Sequence, residues 1–172
     1  MTRTICAALL VAMLQISPAA ALEGTVEAFA SWQMRGQLIP TGPKEATFSG
    51  VLSGVLYVRG SDGSFETGLI TCPGTIAINT DDLSQSGHGK CVIVTPDAER
   101  VFGEFKCSGV YRSGCNGDFK FTGGTGEKEN ISGGGPIQFK AALERLIASP
   151  GNVVDHSAVG LAVWPALTYK IP

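Results

Sequence analysis

The sequence has few charged side chains and no run of basic ones. Asp, Glu, Lys and Arg make up 16% of the 172 residues, with 13 basic against 15 acidic side chains. Proteins that bind nucleic acid need a basic patch or stripe to meet the phosphates. The composition therefore argues against nucleic acid as a partner.

The chain also lacks the motifs that usually indicate a cofactor site, a metal site or a catalytic triad. It has no Cys-x-x-Cys pair, no Gly-x-Ser-x-Gly elbow and only two histidines, His88 and His156. We expect no cofactor and no metal, with a zinc site as the weaker alternative for the cysteines. His88 lies between two glycines and His156 follows Asp155 in a polar stretch, so both are expected on the surface or in loops.

No apolar run is long enough to cross a membrane as a helix. The longest early run, Ile5 to Leu14, has ten residues, about half of the roughly 20 that a spanning helix needs. Arg3 precedes it and small residues follow at 18–21, which is the pattern of a secretory signal. We expect residues 1–21 to be a signal peptide, and the protein to be periplasmic or extracellular. Residues 22–172 then form one domain.

Four cysteines remain beyond that segment: Cys72, Cys91, Cys107 and Cys115. An even number in an exported chain indicates disulfides, and four cysteines allow three pairings. We favour Cys72–Cys91 and Cys107–Cys115, because each pair brackets a turn-rich segment. Neighbouring antiparallel strands would then place the two cysteines of each pair face to face.

Glycine is abundant, with 23 residues, and separates many short β-type runs. Turn signals such as Pro73-Gly74 and Pro96-Asp97 lie between them. The pattern predicts an all-β domain, a single mainly antiparallel closed barrel of about eight strands, with a sandwich as the other arrangement. The runs are expected at 25–32, 48–59, 65–72, 74–79, 87–95, 99–107, 117–122, 136–142 and 160–171.

Alternation within these runs predicts which side chains are buried. Residues 141–147 are ambiguous, since their apolar spacing fits a short helix as well as a strand. Pro165 inside the last run indicates a bulge or an edge. The expected buried rows are Phe48, Leu52, Leu56 and Val58; Phe119 and Phe121; and Leu161, Val163, Leu167, Tyr169 and Ile171.

Phe121-Thr-Gly-Gly-Thr-Gly126, followed by Ile131-Ser-Gly-Gly-Gly135, resembles the glycine signature of the allene oxide cyclase-like and dirigent-like β-barrels. Gly89-Lys-Cys91, Gly114-Cys-x-Gly117 and Trp164-Pro165 are similar to segments of exported bacterial proteins with that calycin-like barrel and no assigned activity. Glu127-Lys-Glu129 departs from the signature, which has an aromatic residue soon after the glycines. The resemblance implies an eight-stranded barrel that can hold an apolar cavity, and it assigns no catalytic residue.

Two other features bear on chemistry. Gly123–Gly126 could cradle a phosphate, but acidic residues follow it and no helix start is evident, so a hairpin with positive-φ glycines is favoured. Glu104 is the candidate catalytic acid: it would lie inside the barrel if the Phe102 face points inward, and in solvent if the Val101 face does. The second arrangement is favoured.

The aromatic side chains Trp32, Tyr57, Trp164 and Tyr169 are the candidate contacts for a small apolar ligand, since small barrels can hold one such molecule. Core or rim packing is their alternative role. The sequence thus favours a non-catalytic binding or surface-interaction module. A cofactor-free cyclase or isomerase acting in the barrel cavity is the alternative, and the oligomeric state stays open.

Overall fold

The computed structural model describes residues 21–60 and 62–172. Apart from residue 21, the expected signal peptide lies outside the described residues. The described chain forms eight strands and one turn of 3₁₀ helix. The strands are β1 Leu22–Gly42, β2 Glu45–Arg59, β3 Phe65–Asn79, β4 Ser84–Val94, β5 Arg100–Val110, β6 Gly114–Gly124, β7 Ser132–Ser149 and β8 Val153–Ile171, and the 3₁₀ turn is Gly126–Lys128.

Each strand pairs antiparallel with the next one in the chain, and β8 pairs with β1 to complete the ring. The closing ladder is long, running from Leu22 opposite Ile171 to Leu38 opposite Val154. The predicted all-β barrel of eight antiparallel strands is therefore confirmed, and the strands form one sheet rather than two packed ones.

Side chains alternate between the interior and the outer surface, as the pleat requires. The inward row predicted for β2 is present, with Phe48 and Leu56 buried and the other two members half-buried. Phe119 and Phe121 of β6 are buried too. The barrel interior is thus filled by alternate residues from all eight strands.

One local prediction was wrong, and one open alternative is decided by the structure. Pro73-Gly74 does not end a strand, because β3 continues through it and keeps its register with β2. Pro73 has no N–H to donate, and the only irregularity beside it is a gap in the β3–β4 ladder between Thr71 and Gly74. Residues 141–147, left open between helix and strand, belong to β7.

The inward row predicted for β8 was partly wrong. Leu161 and Val163 face outward, whereas Ala162 and Trp164 are buried. The register of β8 against β1 shifts between Trp164 and Leu167, so the bulge expected at Pro165 is present. This bulge reverses the alternation, which is why Leu167 is buried although Leu161 is not.

Both predicted disulfides are present, and they join Cys72 to Cys91 and Cys107 to Cys115. The first pair lies directly across the β3–β4 ladder. The second lies diagonally across the β5–β6 hairpin, since Cys115 is opposite Gly109 and Cys107 opposite Gly117. Both bonds face the barrel interior.

The glycine-rich stretch forms the β6–β7 connection. Gly123 and Gly126 have φ values of 139° and 58°, as a tight turn requires. The Glu99 carboxylate accepts a hydrogen bond from the Glu127 N–H at 2.8 Å. The Glu99 carboxylate therefore accepts a hydrogen bond from a loop N–H group that a bound phosphate would need. This contact agrees with the hairpin interpretation.

Within the described residues, no helix has the length and apolar character needed to cross a membrane.

Candidate functional site: a cavity inside one end of the barrel

A cavity of about 100 Å³ lies inside the barrel. It opens toward the end that carries the β5–β6 turn and the β7–β8 turn, which we call the cavity end. Aromatic, aliphatic and disulfide side chains form most of its wall. Its larger apolar contributors are Trp32, Met34, Phe48, Leu52, Ile76, Phe105 and Phe139, together with Cys72, Cys107 and Cys115.

The polar part of this cavity is a cluster built around the Glu144 carboxylate. The Tyr111 hydroxyl donates to Glu144 Oε1 over 2.7 Å, and Arg112 Nε lies 2.7 Å from Glu144 Oε2. His156 Nε2 lies 2.6 Å from Glu144 Oε1. The His156 and Glu144 side chains are 3% and 10% exposed, whereas that of Arg112 is 66% exposed. The cluster thus runs from the buried imidazole out to solvent.

His156 reaches the interior through the ordinary alternation of β8. It shares the inward face with the buried Ala158 and Ala162, and it lies opposite Gly36 of β1. A Cβ on Gly36 would come within 2.6 Å of Phe48 Cζ, so the glycine leaves room for that ring. Phe48 then packs edge-on against the imidazole, with ring centroids 5.2 Å apart.

Glu144 reaches the interior because β7 contains a bulge. The register against β8 shifts between Ala141 and Leu143, so one residue, Ala142, is extra. Ahead of the bulge Phe139 faces inward; beyond it Leu143 faces outward and Glu144 inward. Regular alternation from Phe139 would have turned Glu144 toward solvent.

Tyr111 and Arg112 come from the β5–β6 turn. The turn is held by a hydrogen bond from the Ser113 N–H to the Val110 carbonyl, and Arg112 adopts a φ of 67°. The Tyr111 N–H also donates to Leu83 O in the β3–β4 turn, over 2.8 Å. Burial, and then the hydrogen bond to Glu144, raise the pKa of the Tyr111 phenol above its ordinary value.

The cavity retains unused hydrogen-bonding capacity. His156 Nε2 lies 2.6 Å from the Glu144 carboxylate without a well-directed hydrogen bond, and Nδ1 has no hydrogen-bond partner within the described part of the chain. Trp32 Nε1 is likewise buried without a partner there. Buried polar groups in native proteins are nearly always paired, so such groups indicate a missing ligand or water.

The structure brings only one of the predicted ligand contacts to this cavity. Trp32 lines it. Tyr57 faces outward and stacks on Phe29, with ring centroids 5.0 Å apart. Trp164 is buried but packs against Phe119 in the core instead. Tyr169 lies opposite Gly24, at the other end of the barrel.

Glu104 lies on the outer face of β5, because Val101, Gly103 and Cys107 occupy the buried face. Its cross-strand neighbours are Lys90 and Lys120. The favoured, solvated arrangement is therefore the one the structure has, and Glu104 does not contribute to the cavity.

The two histidines have opposite environments. His88 is exposed and lies 3.2 Å from Thr75 Oγ1, as a surface histidine does. His156 is 4% exposed, so the expectation of a surface or loop position was wrong for it. The residues next to His156 in sequence are polar because they face outward. The apolar row Ala158, Ala162 and Trp164, which continues from His156 at even-numbered positions, was the signal that could have predicted its inward position.

Sequence reasoning missed Glu144, Tyr111 and Arg112 entirely. For Glu144 no local signal was available, since the bulge in β7 decides which way it points. Among residues 21–60 and 62–172, no group of three or more His, Cys, Asp or Glu side chains is placed to hold a metal ion.

No family model matches the chain, and no curated protein matches it. Among solved structures, the pterocarpan synthase dirigent protein GePTS1 is 12% identical, with 92% of this chain and 99% of that chain covered and a TM-score of 0.43. Ail, the attachment invasion locus protein of Yersinia pestis, is 11% identical, with 83% and 97% covered and a TM-score of 0.14. Likenesses of this size carry no argument about the activity of the present barrel.

Proposed function

We propose that this barrel binds a small, largely apolar molecule that carries one hydrogen-bonding group, in the cavity at the cavity end. The observation that supports this is the combination of an apolar wall with a buried imidazole whose Nδ1 has no hydrogen-bond partner in the described part of the chain. Ligand sites typically join an apolar lining to a few converging polar groups. Here His156 and Trp32 supply the polar groups and the surrounding rings supply the apolar lining.

The cavity volume limits the size of the part that is enclosed. About 100 Å³ is somewhat less than the roughly 150 Å³ of an engineered cavity that takes benzene. A single small ring or a short branched chain fits such a space with slight movement of the walls. A larger molecule would extend past the β5–β6 turn, where Arg112 is exposed.

We also propose that the protein works outside the cytoplasm. The signal-like segment at residues 1–21 and the two disulfides support export, since disulfides persist in oxidising compartments. Intact mass of the protein recovered from the exported fraction tests this. The expected mass is that of a chain that begins at Leu22 or Glu23 and has lost four hydrogen atoms in forming two disulfides. The mass of a chain that still carries residues 1–21 would contradict the proposal.

The binding proposal is tested with two probes of similar shape. Acetophenone has an apolar ring and one carbonyl acceptor, while ethylbenzene has no acceptor. Amide chemical shifts of cavity residues should move with both probes. His156→Phe should weaken acetophenone binding about tenfold or more and change ethylbenzene binding much less, because ethylbenzene makes no hydrogen bond with the imidazole.

His88→Phe is the matched control, since that side chain is exposed on the outer face and does not line the cavity. It should change neither affinity. The binding proposal is wrong if neither probe moves the cavity amides and native mass spectrometry of the exported protein finds no bound small molecule.

A second candidate function is a cofactor-free isomerase or cyclase that moves a proton in the same cavity. The observation that favours it is the 2.6 Å contact between His156 and the Glu144 carboxylate at the cavity wall. A general base needs a titratable group within reach of the substrate proton, and a carboxylate beside the imidazole would stabilise the imidazolium formed.

Deuterium exchange at the acetophenone methyl group in D₂O distinguishes the two functions. Exchange accelerated by the wild-type protein and abolished by His156→Phe would establish proton abstraction next to a carbonyl. Binding without accelerated exchange would leave the non-catalytic role as the better account.

A further inference from the structure

The outer face of the barrel carries two arginines on either side of one serine. Ser157 of β8 lies directly opposite Arg35 of β1 in one ladder and directly opposite Arg145 of β7 in the other. Directly opposed residues in antiparallel ladders have Cβ atoms about 4.5–5.5 Å apart and project from the same face. Both guanidinium groups can therefore reach the Ser157 hydroxyl region from opposite sides.

These three residues lie in a shallow groove of about 250 Å³, which we call the outer dish. Ser157 is half-buried at its floor, while both arginines are exposed. The small serine between long side chains leaves the depression. The other residues that line the outer dish are Gln33, Met34, Leu143, Glu144, Ala158 and Val159, and three of these, Met34, Glu144 and Ala158, also line the barrel cavity.

No carboxylate in the part of the chain that the structure describes forms an ion pair with the two arginines of the outer dish. Within the described residues, neither Arg35 nor Arg145 has a carboxylate within 4.0 Å of its guanidinium. Glu144 belongs to the inner face, where it contacts Arg112. Asp155 occupies the next outward position of β8, and its carboxylate accepts a hydrogen bond from Ser149 Oγ over 2.7 Å.

The side of the outer dish away from Asp155 carries several exposed apolar side chains beside the polar Gln33. Leu143 and Val159 are cross-strand partners there, and their exposed fractions are 73% and 42%. Leu161 is the next outward residue on β8 and is also exposed. A ligand held by the arginines would thus find exposed apolar side chains beside it on this side.

We propose that the outer dish binds an oxyanion attached to an apolar chain, with Arg35 and Arg145 holding the anion and Leu143 and Val159 contacting the chain. Guanidinium groups bind phosphate, sulfate and carboxylate through paired, charge-assisted hydrogen bonds, and two of them here flank a hydroxyl donor. This site is separate from the barrel cavity, and its ligand chemistry does not depend on the function proposed for that cavity.

Decyl phosphate, used below its micellar concentration, and inorganic phosphate are the probes. Amides of Arg35, Arg145 and Ser157 should shift with both, and decyl phosphate should bind at least tenfold more tightly because of its chain. Arg35→Gln and Arg145→Gln should each weaken binding about tenfold or more, and Leu143→Ser should weaken decyl phosphate only. Arg59→Gln, in a surface arginine near Glu27, is the control and should change nothing.

Cosedimentation with vesicles distinguishes the two sources of such a ligand. Binding to phosphatidylglycerol vesicles but not to phosphatidylcholine vesicles, lost in Arg35→Gln and Arg145→Gln, would identify a lipid headgroup. Binding of decyl phosphate without vesicle binding would identify a soluble amphiphile. The proposal is overturned if decyl phosphate shifts only cavity amides, if nothing binds, or if the two arginine variants, still folded by circular dichroism, bind as the wild type does.

Discussion

Glu144 determines the polar chemistry of the cavity end, since its one carboxylate meets Tyr111, Arg112 and His156. Two of these partners come from the β5–β6 turn and one from β8. The Glu144 carboxylate therefore links the β5–β6 turn to β8, which is not adjacent to that turn in the sequence. It also contacts the imidazole that we propose as the ligand contact, so its loss should affect stability and binding together.

Glu144→Gln should lower the free energy of unfolding by about 1–2 kcal/mol in urea denaturation. Hydrogen bonds to a charged group contribute about 1.5–3 kcal/mol, but the Arg112 side chain is largely exposed and its share is screened. Glu104→Gln is the matched control on the outer face, and it should stay within about 0.5 kcal/mol of the wild type. Equal effects of the two variants would mean that the cluster does not stabilise the fold.

Tyr111 makes a second residue-scale prediction, in the alkaline range. Its pKa is raised in the folded protein, so folding favours the neutral phenol. That stability is fully present below the ordinary tyrosine pKa of about 10 and is lost as the pH rises above it. The ultraviolet absorbance of phenolate should show a late-titrating component that is missing in Tyr111→Phe. Coinciding titration curves for the two proteins would contradict it.

Two bulges, one in β7 and one in β8, decide which face of the sheet Glu144 and Leu167 occupy. The one at Ala142 turns Glu144 inward, and the one beside Pro165 turns Leu167 inward. Pro165 was visible in the sequence as a residue that a ladder tolerates poorly, so its bulge could be predicted. Ala142 carries no such signal, because alanine fits a regular strand as well as a bulge. The cavity cluster could not be derived for that reason.

Gly160 of β8 shows how closely the strands approach the cavity wall. A Cβ at this position would lie 2.0 Å from the Lys140 carbonyl oxygen and 2.5 Å from Trp32 Cζ2. Gly160→Ala should therefore cost about 1–3 kcal/mol of stability and push the indole into the cavity, weakening probe binding. Gly42→Ala, whose nearest contact would be 3.5 Å, should change stability by less than about 1 kcal/mol. Urea melts and the acetophenone titration measure both effects.

At the scale of the whole molecule, several independent features along the chain predict the barrel. Many short alternating runs, the turn signals and the cysteine pairs each indicated antiparallel neighbours, so the strand number and both disulfides could be predicted. The cavity is different, because it depends on which residues of distant strands fall opposite each other. Register between β1 and β8 brings His156 beside Gly36, and the sequence alone contains no measure of that register.

The two disulfides close loops of different length, and this gives a prediction for the whole fold. Cys72–Cys91 spans 19 residues and Cys107–Cys115 spans 8. In the loop-closure treatment, which is one of several accounts of disulfide energetics, they contribute about 3.3 and 2.5 kcal/mol. Replacing each pair by alanines should cost at least these amounts, because Cys72, Cys107 and Cys115 also line the cavity.

The order of the two losses is the decisive measurement. Urea denaturation without reductant should rank the variant lacking Cys72–Cys91 as the less stable, since its unfolded chain gains the larger loop. Full reduction of the wild type, which opens both disulfides, should lower its free energy of unfolding by more than the loss of either disulfide alone. If the shorter loop proved the more important, the stabilisation would come from the position of Cys107–Cys115 beside the β5–β6 turn, and that variant should then also lose the Tyr111 titration component.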